Sequence, residues 1–209
     1  MMAKQISTAK RSHSYGQQRT FRGLEDFAIR RRLFRARSFL DLLVSENPGK
    51  ELQCLELGCG FWGRNLAALS QGYPGVEFTG VDLSVTSETH GFDLIEADLT
   101  TWIPKVTYDG VLSLAVIEHL LDPQAHFDLI AKCLRKDGLA GLTTPAPQGH
   151  FVLKKLARLG IFDRQEIKDH KLYLTQTGLK ALADCAGLSV EQYREFSMGM
   201  NQWMLLRKA

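Results

Sequence analysis

Apolar residues fall along the chain in short blocks whose spacing alternates between helical and extended. Phe27, Phe34, Leu40 and Leu43 recur at helical intervals and predict a helix from about Leu24 to Val44. Leu52, Cys54, Leu55 and Leu57 then read as a buried strand, and a helical pattern opens at Asn65 with Leu66, Ala67, Ala68 and Leu69. Gly72, Pro74 and Gly75 break the chain before VEFTGVDLS, which supplies a second strand ending at Asp82. A third apolar run, in FDLIEADL, leads to Asp98 and begins so soon after Asp82 that the crossover has room for only a minimal helix or a loop. The continuous run VLSLAVIEHL suits a strand buried on both faces.

Asp122 and Pro123 make a helix start, with Phe127, Leu129, Ile130 and Leu134 as its apolar stripe and Gly138 as its stop. LAGLTTP is a fifth strand closed by Pro145. Phe151, Leu153, Leu156 and Leu159 predict a helix over the sheet end, and the polar stretch 163–174 has the character of a lid. Thr175 or Thr177 begins a further helix, through Leu179, Leu182 and Ala183 to Gly187. The runs LSVEQYREF and NQWMLLRK, joined across SMGM, predict an antiparallel pair at a sheet edge. Strands alternating with helices make this an α/β chain.

With 209 residues and 44% hydrophobic content, the chain is long enough to bury roughly 70% of its unfolded surface in one core. We therefore expect a single domain over residues 21–209. Residues 1–20 are basic, lack a carboxylate and show no apolar period, so they are expected to be flexible. The cysteines, Cys54, Cys59, Cys133 and Cys185, lack C-x-x-C spacing, and three lie within apolar patterns, which points to a reducing compartment. No apolar run reaches the length of a membrane span and no secretory apolar core opens the chain, so a cytoplasmic protein is expected. A net charge of +3 does not argue for nucleic acid. Arg30, Arg31, Arg32, Arg35 and Arg37 nevertheless crowd the first helix, as a solvated face or as a site for an anionic substrate or a cofactor carboxylate.

The chemistry concentrates in ELQCLELGCGFWGRNL, residues 51–66. A strand, a glycine turn and a helix start form a cradle for a nucleotide-type cofactor, because glycine lets the backbone take positive φ and lets a ligand lie against it. Gly58, Gly60 and Gly63 satisfy the dinucleotide spacing, and Asp82 stands where ribose hydroxyls would be held. Glu56 separates the cofactor classes: beside a pyrophosphate it repels, and beside an ammonium it attracts. An amino-acid-bearing cofactor fits better, unless Glu56 only caps the loop or pairs with Arg64.

These residues, in this order, resemble the class I S-adenosylmethionine-dependent methyltransferases of the type 11 and type 23 branches. The carriers are LELGCG, GVDLS, EADL, YDGVLSLAVIEHLLDP, LRKDGLAGLTTP and DHKLYLTQTGLKALADCAGL, spanning Glu51 to the end. The resemblance implies a Rossmann-like three-layer sandwich: a mostly parallel seven-stranded sheet with an antiparallel C-terminal strand, and S-adenosyl-L-methionine as cofactor. Glu56, Gly58 and Gly60 would line its methionine end, and Asp82 would hold the ribose with Leu83 beside the adenine. Asp98 would accept from the adenine amino group, Leu99 would donate its backbone amide to the ring, and Leu114 would place a carbonyl near the sulfonium. Relatives read GCGTGRNL where this chain has GCGFWGRNL, one residue longer, with Phe61 and Trp62 inserted bulk. Trp62 would lie over cofactor or substrate, or against the first helix. With the adenine side thinly covered, weak or substrate-dependent cofactor binding would follow.

His119, His150 and His170 are the candidate general bases for a hydroxyl acceptor. The metal-binding pattern of quinone-precursor O-methyltransferases is incomplete, since Ala115 stands where the first glutamate would, ahead of Glu118 and His119; no metal is expected. Ser113-Leu114-Ala115-Val116 is not the signature of amino-group methylation on nucleobases. A small molecule or a glycan precursor, methylated on oxygen, is the expected acceptor. Two other readings are a catalytically idle member acting through a protein partner and a NAD-dependent oxidoreductase.

Overall fold

The computed structural model describes residues 22–88, 91–149 and 174–209. The expected flexible segment 1–20, the helix placed over 151–159, nearly all of the stretch 163–174, His150 and His170 lie outside the described residues.

Seven strands form one sheet in the order β3-β2-β1-β4-β5-β7-β6. They are β1 (Leu52–Leu57), β2 (Val76–Asp82), β3 (Asp93–Glu96), β4 (Tyr108–Leu114), β5 (Leu134–Pro145), β6 (Leu188–Phe196) and β7 (Asn201–Lys208). The first five pair in parallel; β7 runs antiparallel to both β5 and β6. Helices α1 (Arg22–Glu46) and α2 (Arg64–Ser70) cover one face, and α3 (Pro123–Cys133) and α4 (Gln176–Cys185) the other. This is the expected α/β three-layer sandwich with an antiparallel final strand.

Parallel strands sandwiched between helices must be apolar on both sides, and β1 and β4 are buried along nearly their whole length. On one face α1 lays Ala36, Phe39, Leu40 and Leu43 against the sheet. Phe34, counted with the apolar positions of this helix, is instead 59% exposed, because it falls one residue outside the 36, 39, 40, 43 stripe. On the other face Phe127 and Ile130 of α3 meet Leu179 and Ala183 of α4 over Val111, Leu142 and Met204. The expected caps hold: the Ala125 amide donates to Asp122 and the Gly178 amide to Thr175. Ser113 and His126 share a buried hydrogen bond of 2.8 Å between β4 and α3, and burial lowers the imidazole pKa to about 4.

Three boundaries differ from the sequence pattern. The fourth apolar run is extended only to Leu114, since Ala115 takes φ 60° and Ile117–His119 close a 3-10 turn. Helix α3 stops at Cys133, five residues before Gly138; Leu134 is already paired with Tyr108, and Gly138 sits at an irregularity that resets the register to Gly110 opposite Leu139. β3 ends at Glu96, so Asp98 lies in the turn beyond it. As expected from the short crossover, no helix occurs between β2 and β3 among the described residues. The SMGM connection is a run of left-handed residues, Ser197 (φ 53°), Met198 (φ 58°) and Gly199 (φ 76°), which turns β6 tightly into β7.

Gly141, in the middle of β5, has no room for a side chain: an added Cβ would lie 2.4 Å from the Trp203 ring and 3.1 Å from Leu112. Gly141→Ala is expected to displace Trp203 and to destabilise the fold by about 1–3 kcal/mol, read as a lowered denaturation midpoint in urea.

Candidate active site

The C-terminal ends of β1, β2 and β4 converge on a cavity of about 320 Å³. The route there begins at the end of β1, where the Gly58 and Cys59 amides both donate to the Val81 carbonyl at 2.8 and 3.2 Å. The chain then turns through Gly58 (φ 75°) and Gly60 (φ 73°). At Gly58 a Cβ would lie 2.4 Å from a Val116 methyl, whereas at Gly60 it would meet nothing within 4 Å. Gly58 is thus required by its own protein, and Gly60 leaves open space in front of the backbone. The Gly60 amide donates to Asp82 Oδ2 at 2.8 Å, which draws the end of β2 against the loop.

Gly58, Asp82, Leu83, Asp98, Leu99 and His119 line this cavity together, with Ala115, Val116 and Leu120. Six of the expected site residues, from four separate segments, are therefore neighbours. Leu114 is buried at the end of β4, just before the strained Ala115, whose amide still pairs with the Thr143 carbonyl. Asp98 Oδ1 accepts from the Thr100 amide and hydroxyl at 2.9 and 2.6 Å. These bonds, the hydroxyl first, hold its carboxyl below the ordinary range. Asp98 therefore shapes the turn after β3, with one oxygen left over for a ligand. Leu83 is 69% exposed, consistent with the absent cover on that side. His119 lies at the open end of the 3-10 turn.

Glu56 is fully buried beneath the loop. Its partner is Asn65, not Arg64: the Asn65 side-chain amide donates to Oε1 at 2.7 Å, and Oε2 has no partner among the described residues. Burial is the main cause that pushes its pKa up to about 7, opposed by the Asn65 bond and reinforced by Asp82. A fully buried carboxyl with one orphan oxygen is costly unless a donor or a cation arrives. The donor set therefore fits a ligand with an ammonium at one end and a diol within reach of Asp82, as S-adenosylmethionine has.

In the sequence Asn65 marks only a helix start; the nine-residue separation from Glu56 carries no periodic signal, and only the turn brings the two together. Glu118, named in the sequence only as part of an incomplete metal pattern, owes its surroundings to the fold as well. It is buried, accepts from the Thr144 hydroxyl at 3.3 Å, and is pushed by burial to a pKa of about 7. The inserted aromatics meet each other edge to face at 4.9 Å, half exposed, and neither lines the cavity. The Phe61 carbonyl accepts from the Thr86 amide at 2.9 Å, so the longer loop is tied to the segment after β2. No cluster of His, Cys, Asp and Glu suited to a metal occurs among the described residues.

The pKa of Glu56 stands above its ordinary 4.5, so the fold favours the neutral acid. The stability it contributes is complete below pH 4.5 and is lost as pH rises to about 7. Glu56→Gln, neutral throughout, is expected to gain on the wild type across that interval by roughly 3 kcal/mol at pH 8 and by almost nothing at pH 4. Urea denaturation of both proteins across pH measures the difference.

The comparisons with known proteins agree with this geometry. No curated protein matches the sequence. Among solved structures, magnesium protoporphyrin IX methyltransferase from Synechocystis PCC 6803 with bound S-adenosylhomocysteine superposes with a TM-score of 0.66 at 19% identity, over 93% of this chain and 91% of that one. The 1,6-didemethyltoxoflavin-N1-methyltransferase of Burkholderia thailandensis, bound to 1,6-didemethyltoxoflavin and S-adenosylhomocysteine, gives 0.61 at 17% identity, over 87% and 78%. An S-adenosylmethionine-dependent methyltransferase from Mesorhizobium loti gives 0.58 at 16%, over 80% and 96%. At these identities the likeness is one of fold. A family profile described as a methyltransferase domain matches residues 27–193, most of the chain. On that match the chain belongs to the class I S-adenosylmethionine-dependent methyltransferases, in the type 23 methyltransferase-domain family.

Proposed function

We propose that this protein is an active methyltransferase that transfers the methyl group of S-adenosylmethionine to an oxygen of a small molecule or a glycan precursor. The observation that carries the cofactor assignment is the orphan Oε2 of buried Glu56, a charge site awaiting an ammonium. The cofactor supplies an activated methyl group on a sulfonium, so the protein's task is alignment and handling of one proton. In this reading Glu56 holds the ammonium while Gly58 and Gly60 let the methionine end lie against the backbone. Asp82 takes the ribose hydroxyls through its free oxygen, and Leu83 and Leu99 bracket the adenine. Asp98 and the Leu99 amide read the edge of the ring, and the Leu114 carbonyl faces the sulfonium.

His119 is the base we favour, because it lines the same cavity and is open to an acceptor; His150 and His170 stay candidates from the sequence. An oxygen acceptor rests on the family analogy, and a small one on the small-molecule methyltransferases among the structural neighbours. The free cysteines support a cytoplasmic setting, and among the described residues no helix is long and apolar enough to cross a membrane. The idle reading, in which the surface serves a protein partner, draws on exposed Leu83 and the helix-free β2–β3 connection. The oxidoreductase reading is opposed by Glu56, which would repel a pyrophosphate.

Calorimetric titration with S-adenosylhomocysteine tests the assignment. Saturable binding is expected, lost in Asp82→Ala and not reproduced by a nicotinamide dinucleotide; no binding to the folded protein overturns an unaided cofactor site and leaves substrate-assisted binding or the idle reading. Because Glu56 must be ionised to hold an ammonium and has a pKa of about 7, protonation competes with the ligand. Affinity is expected to fall about tenfold from pH 8 to pH 6, and Glu56→Gln to bind weakly without that dependence.

A further inference from the structure

A second cavity, of about 360 Å³, opens on the α1 side of the sheet and shares no lining residue with the first. Its floor is apolar: Phe39 and Leu42 of α1 face Trp203 and Leu205 of β7. Arg35 of α1 and Arg194 of β6 line the same space. The Arg35 guanidinium rests 5.5 Å from the Phe196 ring centre and 6.0 Å from that of Phe34.

Two cations on one partly apolar cavity repel each other in a setting that screens them less than water does. No carboxylate among the described residues neutralises them. Neither Arg35 nor Arg194 makes an ion pair among the described residues. The carboxylates with described side chains on α1 and β6 are committed elsewhere: Asp41 accepts from the Tyr73 hydroxyl, Glu46 and Glu191 from Arg207, and Glu195 from Gln148. Arg35 shows the consequence, its pKa lowered first by burial and then by Arg194 and Arg31. Planar guanidinium groups pair readily with carboxylate and phosphate oxygens, and exposed Phe34 adds an aromatic rim. A volume of about 360 Å³ lies within the range of small-molecule pockets.

We propose that this cavity is a second binding site, for a small organic anion whose carboxylate or phosphate lies between Arg35 and Arg194 and whose apolar body rests on Leu42 and Trp203. The site stands apart from the cofactor cavity and does not depend on the methyl-transfer reading. Titration of the full chain with octanoate, octyl phosphate and octanol, followed by calorimetry, tests it without cofactor present. One-to-one binding of at least one of the two anions is expected, with octanol at least tenfold weaker and Arg194→Gln at least tenfold weaker for the anion. The better of the two anions identifies the head group. Arg194→Gln is expected to melt no lower than the wild type, since it removes a like-charge contact. The proposal is overturned if neither anion saturates, if octanol binds as well as the anions, or if Arg194→Gln and Arg35→Gln both bind with wild-type affinity.

Discussion

One carbonyl organises the functional end of this molecule. Val81 accepts hydrogen bonds from two successive amides, Gly58 and Cys59, as β1 gives way to its loop. Those bonds hold the loop against β2, and so the next residue of β2, Asp82, is in place to accept from the Gly60 amide. Everything the cavity needs follows from that junction: the open backbone at Gly60, the carboxylate beside it and the Val116 methyls packed over Gly58. A side chain at Gly58 would push β1 away from the segment after β4, and the three strand ends would no longer share one space.

The electrostatics of the junction work against the unliganded fold. Glu56 and Asp82 bring two acids to one loop, one of them wholly buried, and burial holds Glu56 partly neutral near pH 7. Asn65 satisfies one oxygen and leaves the other without a donor. A hydrophobic residue there would cost less, as sites prepared for a charged ligand generally sacrifice some stability. Glu118 is a second buried acid a strand away, at the 3-10 turn, where it accepts from the Thr144 hydroxyl and burial again raises its pKa to about 7.

The two faces of the sheet have different characters. Beneath α3 and α4 the core is closed and apolar, interrupted by the Ser113–His126 pair. Beneath α1 the helix covers β4 and β5 but leaves the end of the sheet toward β6 open, and there the basic side of α1 meets Arg194. The arginine-rich sequence of this helix would pass for a solvated face; Arg35, however, turns toward the sheet because it is adjacent to the buried Ala36 and one turn before Phe39.

What the sequence determined by itself was the alternation of strands and helices, the caps at Asp122 and Thr175 and the glycine loop, because these depend on local periodicity, on φ and on short-range hydrogen bonds. It also marked Gly58, Asp82, Asp98 and His119, since each stands at the end of an apolar run. It could not locate the end of β4, where a continuous apolar stretch breaks at Ala115 for want of any glycine or proline, nor the early close of α3, which pairing with Tyr108 decides. The bond between Asn65 and Glu56, the burial of Glu118 and the meeting of Arg35 with Arg194 were settled only by tertiary structure. Each joins residues with no periodic relation in the chain, and their pKa values and partners come from the packing that surrounds them.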